Sequence, residues 1–402
     1  MDGTAAIPDR TPPERAVTRR LSRGLLLVMA VSCGVAVANL YYNQPMLGLI
    51  ARSFPAQAGW IGIIPTAPQL GYALGLFLLV PLGDLLDRRL LILCQSGLLA
   101  AGLVAAAAAP SLFGLAAALV ATGAGAALAQ QLVPFAAELS PPAEAGRVVG
   151  LMMSGLITGI LLARTMAGAL GALAGWRLMF AAGAALSVAM AMVLARFLPS
   201  SQPAVQVSWR RLMVSLGALI VESPVLRRAT LVQASLFGGF SVFWATLALF
   251  LAGPPYHLGA AVAGLFGVVA AGGATTAPLA GRMADRHGPA AVVRVSVLLV
   301  IGAFALMAAW PSLIGLGIGA FVLDVGVQTA MVANQTSVFA LSAAARSRLN
   351  TVLVTGLFLG GATGSVAGAL AWRFAGWNGV TAAGALFGCA GMLVQLRARR
   401  RA

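Results

Sequence analysis

The chain has 402 residues, of which 60% are hydrophobic and only 9% charged, and its mean hydropathy is +0.94. Soluble domains carry about 25% charged residues, so most of this chain cannot face water, and its continuous Ala/Leu/Gly/Val runs lack the strict alternation of a transmembrane barrel. The net charge of +16 comes from arginine without any lysine; its distribution, set out below, marks membrane topology and excludes a nucleic-acid surface.

Residues 1–23 form a polar, arginine-containing segment that reads as a disordered cytoplasmic tail. The apolar run that follows imitates a signal peptide, with Ala36-Val37-Ala38 at the cleavage position. It does not stop there, so the segment is expected to stay. Pro, Gly and charge clusters then divide the chain into twelve apolar runs near 24–50, 59–82, 90–109, 112–137, 148–173, 178–198, 228–252, 260–280, 290–310, 312–338, 350–372 and 378–396. Each is long enough, or nearly so, to cross a hydrocarbon layer of roughly 30 Å as a helix. The fold class expected is therefore an all-α polytopic membrane protein.

One long polar break separates the sixth and seventh runs. Within it Trp209, Leu212, Met213, Leu216 and Ile220 recur at helical spacing. That pattern is too short to span and predicts a helix lying at the membrane surface. The expected organisation is a tail at 1–23, a first six-helix bundle at 24–199, a linker with its interfacial helix at 200–227, a second bundle at 228–396 and a short tail at 397–402.

With the N-terminus in the cytoplasm, 22 of the 26 arginines fall on the cytoplasmic side and Arg52, Arg177 and Arg373 on the other. The excess sets both termini inside a bacterial inner membrane. The remaining arginine, Arg164, stands in the middle of "GILLARTMAGAL" (159–170).

The halves repeat one another. "GDLLDR" (83–88) returns as "GRMADR" (281–286), "SGLITG" (154–159) as "TGLFLG" (355–360), and Gly175-Trp176 as Gly376-Trp377, at offsets of 198 or 201 residues. Six spans per unit is an even number, so both copies enter from the same side and form a parallel repeat around a central cavity.

Here the sequence resembles the major facilitator superfamily, across all twelve spans. The loop signature of that family is carried by Gly83, Leu85, Asp87 and Arg88, and again by Gly281, Asp285, Arg286 and Gly288. "ANLYYNQPMLGLIA" in the first span is similar to a bacterial subgroup near the drug-efflux members. Span 4 lacks the arginine that drug antiporters carry there, and span 5 reads "LLARTMAG" where they have a Gly-Pro signature. The resemblance implies two six-helix bundles related by a pseudo-two-fold axis, transport by alternating access, and a span 5 beside spans 8 and 10 of the other half. It leaves the substrate open.

Two charged residues stand deep inside spans. Arg164 lies 13 residues before Arg177, and Asp324 lies 13 after Pro311. At 1.5 Å per residue both sit about 20 Å from the outer boundary. An ionisable group at that depth is by default a functional candidate. Asp324 is expected to titrate, and Arg164 either to pair with it or to anchor an anionic substrate group. A permanent structural salt bridge and a snorkelling arginine are the alternatives.

Gln328, Met331 and Gln335 continue the face of Asp324. Asn39, Tyr42, Asn43 and Met46 form a matching stripe on span 1, Gln69 and Tyr72 share a face of span 2, and Gln131 lies in span 4. Such groups orient a ligand or hold helices together. Phe237, Phe240, Phe243 and Trp244 offer an aromatic wall. Asp87, Arg88, Asp285 and Arg286 fall at the cytoplasmic boundary, where ion pairs either gate or simply set topology, and Glu138 nearby is expected to be solvated. Gly360, Gly364 and Gly368 recur at the four-residue spacing of close helix packing.

No nucleophile–base constellation, phosphate loop with lysine, or metal-ligand cluster is visible in the sequence, and Cys33, Cys94 and Cys389 are scattered through apolar runs. The function expected is therefore not enzymatic. It is secondary active transport of a small organic solute, first as proton-driven efflux and alternatively as uniport or proton symport of a small organic acid. No cofactor is expected beyond the proton gradient. The expected partners are a small-molecule substrate, protons and the bilayer, with a monomer as the working unit.

Overall fold

A computed structural model describes residues 22–399 except 142, 202–207, 275 and 343–344. Most of the expected N-terminal tail falls outside the described residues, and of the expected C-terminal tail residues 397–399 are described, as the end of the last helix. The chain is all-helical wherever it is ordered into elements. Among the described residues, nine helices are long and apolar enough to cross a membrane, and the last of them runs through two spans. Two further spans, the first and the eighth, are each broken into shorter helices. Twelve crossings result, arranged as two six-helix bundles.

Span 1 is the clearest departure from a simple helix. Helix α1 (Arg23–Ala38) stops before Asn39, and α2 (Leu47–Ser53) resumes after Met46. Between them Leu40, Tyr41, Gln44 and Met46 donate their backbone N–H groups three residues back, not four. Pro45 explains the change, since it has no N–H to give and its ring crowds the preceding turn. The stripe expected on one α-helical face is therefore divided: Asn39 and Tyr42 both meet Gly183, Met46 lies against Gly171, and Asn43 bonds within its own turn.

Span 2 begins as α3 (Ile63–Leu74) and ends in π and 3-10 turns over Gly75–Leu79 and Val80–Asp84, around Pro81. Spans 3 to 6 are α4 (Arg88–Ala107), α5 with α6 (Leu112–Ala126 and Ala129–Glu138), α7 (Ala145–Ala174) and α8 (Trp176–Phe197). The surface helix expected from periodicity is α9 (Trp209–Glu222), which buries Leu212 and Leu216 while Val214 and Val221 stay exposed. Leu216 packs with Leu226, Leu349 and Val352 of the second bundle.

The second half follows as α10 (Pro224–Ala252), α11 (Ala260–Ala274) with α12 (Ala277–His287), α13 (Pro289–Ala309), α14 (Leu313–Phe339) and α15 (Arg346–Arg399). Helix α15 holds spans 11 and 12, separated by a break at Ala375 and Gly376. Helix α10 lies against the span-11 part of α15, and a side-chain carbon on Gly364 would collide with the backbone carbonyl of Gly238. The glycine ladder thus serves close packing inside one bundle.

The halves meet along two seams, α7 against α11 and α3 against α15. Both seams are tight towards the arginine-poor end, where Gly62 faces Ala369 and Gly168 faces Gly264. Towards the arginine-rich end Phe77 of the first half still packs against the cluster formed by Leu226, Leu349 and Val352.

The duplicated loop motif does not behave alike in its two copies. Asp87 and Arg88 do not pair with each other. The Asp87 carboxylate caps α4, accepting from the Arg89 N–H (2.9 Å) and from the Ser201 N–H (3.1 Å). Arg88 is buried, donates to the Gly83 carbonyl (3.0 Å), and forms ion pairs with Asp84 (3.2 Å) and Glu138 (2.8 Å). Glu138 is therefore not a free solvated charge, although over half of its side chain remains exposed. Asp285 and Arg286, by contrast, are exposed, and among the described residues neither makes an ion pair within 4.0 Å. Arg88→Ala should cost about 1–3 kcal/mol, because it strands the buried Gly83 carbonyl. Asp285→Ala should stay within about 0.5 kcal/mol of the parent. Thermal unfolding of the two variants in detergent reads the difference.

Candidate functional site

Arg164 comes from the first half on α7 and Asp324 from the second on α14, and both line one buried cavity of about 90 Å³. The two groups are 4% and 7% exposed, so neither charge is relieved by water outside the cavity. Each is pressed against α11 at a glycine. A side-chain carbon on Gly267 would come within 2.9 Å of the Arg164 Cβ, and one on Gly273 would come within 2.5 Å of the Asp324 Oδ2. Six residues of α11 separate those points, about 9 Å of rise. The two residues are thus staggered along the membrane normal, not level as equal counting from the loops suggests. Helices tilt and break, and residue counts along them do not translate into a common depth.

Nor do they form an ion pair: among the described residues no contact within 4.0 Å joins them. Arg164 is satisfied by other means. Its Nε donates to the Gln44 Oε1 at 2.8 Å, supplied by the turn between α1 and α2. Its guanidinium carbon lies 4.0 Å from the Trp244 ring centre, 4.5 Å from that of Tyr41 and 5.7 Å from that of Phe240. Desolvated cation–π contacts of this kind contribute about 2 kcal/mol or more. The Nη2 atom is buried without a hydrogen-bond partner among the described residues. The result is a boxed cation with donor capacity to spare.

The cavity continues from these charges towards the arginine-rich end. Gln328 and Met331 line it on α14, Gln233 and Phe237 on α10, and Ile157 and Leu161 on α7. Gln233 is itself held by Asn334, whose Nδ2 donates to it at 3.0 Å. Phe237 stacks on Phe240 at 5.1 Å between ring centres. Of the four aromatics expected as a wall, Phe237, Phe240 and Trp244 surround the site. Phe243 turns into the second bundle against Trp377 (6.4 Å).

The remaining candidates fall elsewhere. Tyr42 packs against α8 at Gly183, and its neighbour Tyr41 takes the place beside Arg164. Asn43 is fully buried and donates to the Leu40 carbonyl (3.1 Å) within its own turn. Gln131 donates to the Leu79 carbonyl (3.1 Å), joining spans 2 and 4 inside one bundle. Tyr72 accepts a hydrogen bond from Gln130 (3.3 Å) and meets the Phe358 ring at 4.4 Å, across the seam. Gln69 bolts the halves together: its Nε2 donates to the Ser365 hydroxyl (2.8 Å), and its Oε1 accepts from the Ser241 hydroxyl (3.2 Å). Gln335 donates to Asn350 (3.4 Å) outside the cavity lining.

Sequence reading missed Gln44, Tyr41 and Gln233. A glutamine directly before Pro45 is a signal for Gln44, because the residue before a proline leaves the helix and can aim elsewhere. Gln233 carries no comparable mark.

Comparison with known proteins places these features in a family. Residues 26–274 match the model of the Major Facilitator Superfamily. The chain is 40% identical over 384 residues to an uncharacterized transporter, YgaY, of Escherichia coli O157:H7, covering 95% of this chain and 97% of that one. It is 33% identical to a probable transporter, SCO4007, of Streptomyces coelicolor, over 93% and 87% of the two chains. Among solved structures, a D-xylose–proton symporter superposes with a TM-score of 0.72 over 92% of this chain and 96% of the symporter at 17% identity, which is a likeness of fold. The protein is a multi-pass membrane transporter of the major facilitator superfamily.

Proposed function

We propose that the protein is a proton-coupled secondary transporter of a small organic anion in a bacterial inner membrane, with its arginine-rich side in the cytoplasm. The observation that carries the reading is an unpaired one: Arg164 and Asp324, from opposite bundles, share a cavity without neutralising each other directly. A carboxylate or similar group of the solute takes the spare donors of Arg164, and Asp324 takes the proton. At about 90 Å³ the cavity is well under the roughly 300–1,000 Å³ of pockets for drug-sized ligands, which supports a small solute.

The coupling follows from charge. With Asp324 ionised, an entering anion leaves the buried site with a net negative charge, which a low-dielectric interior opposes. Protonating Asp324 removes that excess, so anion and proton favour each other's binding, and linkage makes the preference reciprocal. The loaded, neutral site can then move between orientations, while a site holding an anion and no proton is held back. Gln69 with Ser365 and Ser241 is the contact between the halves that breaks as they rock. The working unit is one chain, since both charged groups come from it.

Efflux driven by inward proton flow uses the same two residues with the opposite sign. There the solute is neutral or cationic, sits on the Asp324 carboxylate, and is expelled when a proton arrives. The direction of coupling separates the two. In proteoliposomes, anion–proton cotransport speeds up when the compartment supplying the solute is made more acidic; exchange speeds up when the opposite compartment is.

Asp324→Asn should abolish pH-gradient-driven transport while solute exchange between two loaded compartments survives. Accumulation that still follows the pH gradient in this variant would overturn the assignment. Arg164→Lys retains the charge but loses the fork, and should raise the KM about tenfold or more, equivalent to about 1.4 kcal/mol. An unchanged KM would remove Arg164 from the binding site.

A further inference from the structure

A second space lies between the halves, sharing no lining residue with the charged cavity. It is a crevice of about 450 Å³ towards the arginine-rich end. One wall is Leu74 and Phe77 of span 2; the other comes from α9, α10 and α15 of the second half. Its mouth is formed by Leu74, Leu231 and Leu359, which are 43%, 55% and 44% exposed. In a spanning bundle such side chains face acyl chains, so the crevice opens sideways into one leaflet.

Its lining is apolar except at three points, and those three are ordered in depth. Hydroxyls in these helices commonly donate back to their own turn, as Thr122 does to Ala118 (2.9 Å), Thr246 to Val242 (2.8 Å) and Thr351 to Ser347 (3.1 Å). Thr230 and Thr355 do not: their Oγ1 atoms are buried with no partner among the described residues, and both line this crevice. Thr355 is only 9% exposed. The third point is Arg227, exposed at the edge one helical turn from Thr230. Its Nη1 donates to the carbonyls of Ile220 and Val221 at the end of α9, which holds the guanidinium over the opening. Thr230 lies six residues into α10, about 9 Å below its start. From edge to floor the order is cation, hydroxyl donors, hydrocarbon.

We propose that this crevice binds a membrane phospholipid, with the phosphate on Arg227, the ester oxygens on the hydroxyls of Thr230 and Thr355, and one acyl chain in the apolar floor. The occupant matches the cation at the edge, the two unpartnered hydroxyls and the hydrocarbon floor in the order in which they lie. Because the walls belong to both halves, the bound lipid stabilises the present arrangement of the two. The inference rests on the membrane placement and not on the identity of the transported solute.

The test is native mass spectrometry of the full chain purified in dodecyl maltoside and titrated with phosphatidylglycerol or phosphatidylethanolamine. The parent should retain one phospholipid. Leu359→Trp, which fills the mouth, and the shape-conserving double variant T230V/T355V should each bind about fivefold more weakly, the effect of about one hydrogen bond or its equivalent. Leu298→Trp, on the exposed surface of α13, should bind like the parent. Equal retention by the parent, Leu359→Trp and T230V/T355V would overturn the proposal, as would maltoside that neither phospholipid displaces. Arg227→Gln should weaken binding of both lipids, and undiminished binding would remove the phosphate from Arg227.

Discussion

A guanidinium cannot be left bare in hydrocarbon, and the structure around Arg164 is arranged to meet that constraint. An arginine at mid-membrane costs several kcal/mol unless it faces protein, water or a partner. Here one donor goes to Gln44, three aromatic faces surround the cation, and α11 comes close enough to cover it only because Gly264 and Gly267 carry no side chain. Those groups belong to both halves. Arg164 is therefore a place where the bundles must stay in register, and the cost of burying it ties the seam to the site.

The same constraint gives purpose to the broken spans. A regular helix through Pro45 would direct Gln44 along a helical face; the tight turns between α1 and α2 turn it onto the guanidinium instead. In span 8, α11 packs Gly267 and Gly273 against the two charged residues before the chain breaks and continues as α12. Irregular backbone at membrane depth is tolerated where it is buried in protein or lines a cavity, and these breaks flank the charged cavity.

The repeat, by contrast, is a repeat of position more than of interaction. Arg88 is clasped between Asp84 and Glu138, whereas its counterpart Arg286 is exposed. The first bundle is thus tied within itself by charge at its arginine-rich end. Near that end of the second half, α9 lies against Leu226, Leu349 and Val352 and adds an apolar patch.

What the sequence determined by itself was what period, composition and charge encode. Runs without water-compatible residues demanded membrane spans, arginine placement separated the two ends, and recurring motifs exposed the duplication. Arg164 and Asp324 stood out because charge in hydrocarbon needs a reason, and that signal is local to each residue. The tertiary structure decided what those residues touch. It put Tyr41 where Tyr42 was expected, sent Phe243 away from the site, turned Gln69 into a bolt between bundles, and staggered two residues that equal counting had made level. Each difference arises from a helix break, tilt or rotation set by packing against a neighbour far away in the chain, and no window of sequence contains that neighbour.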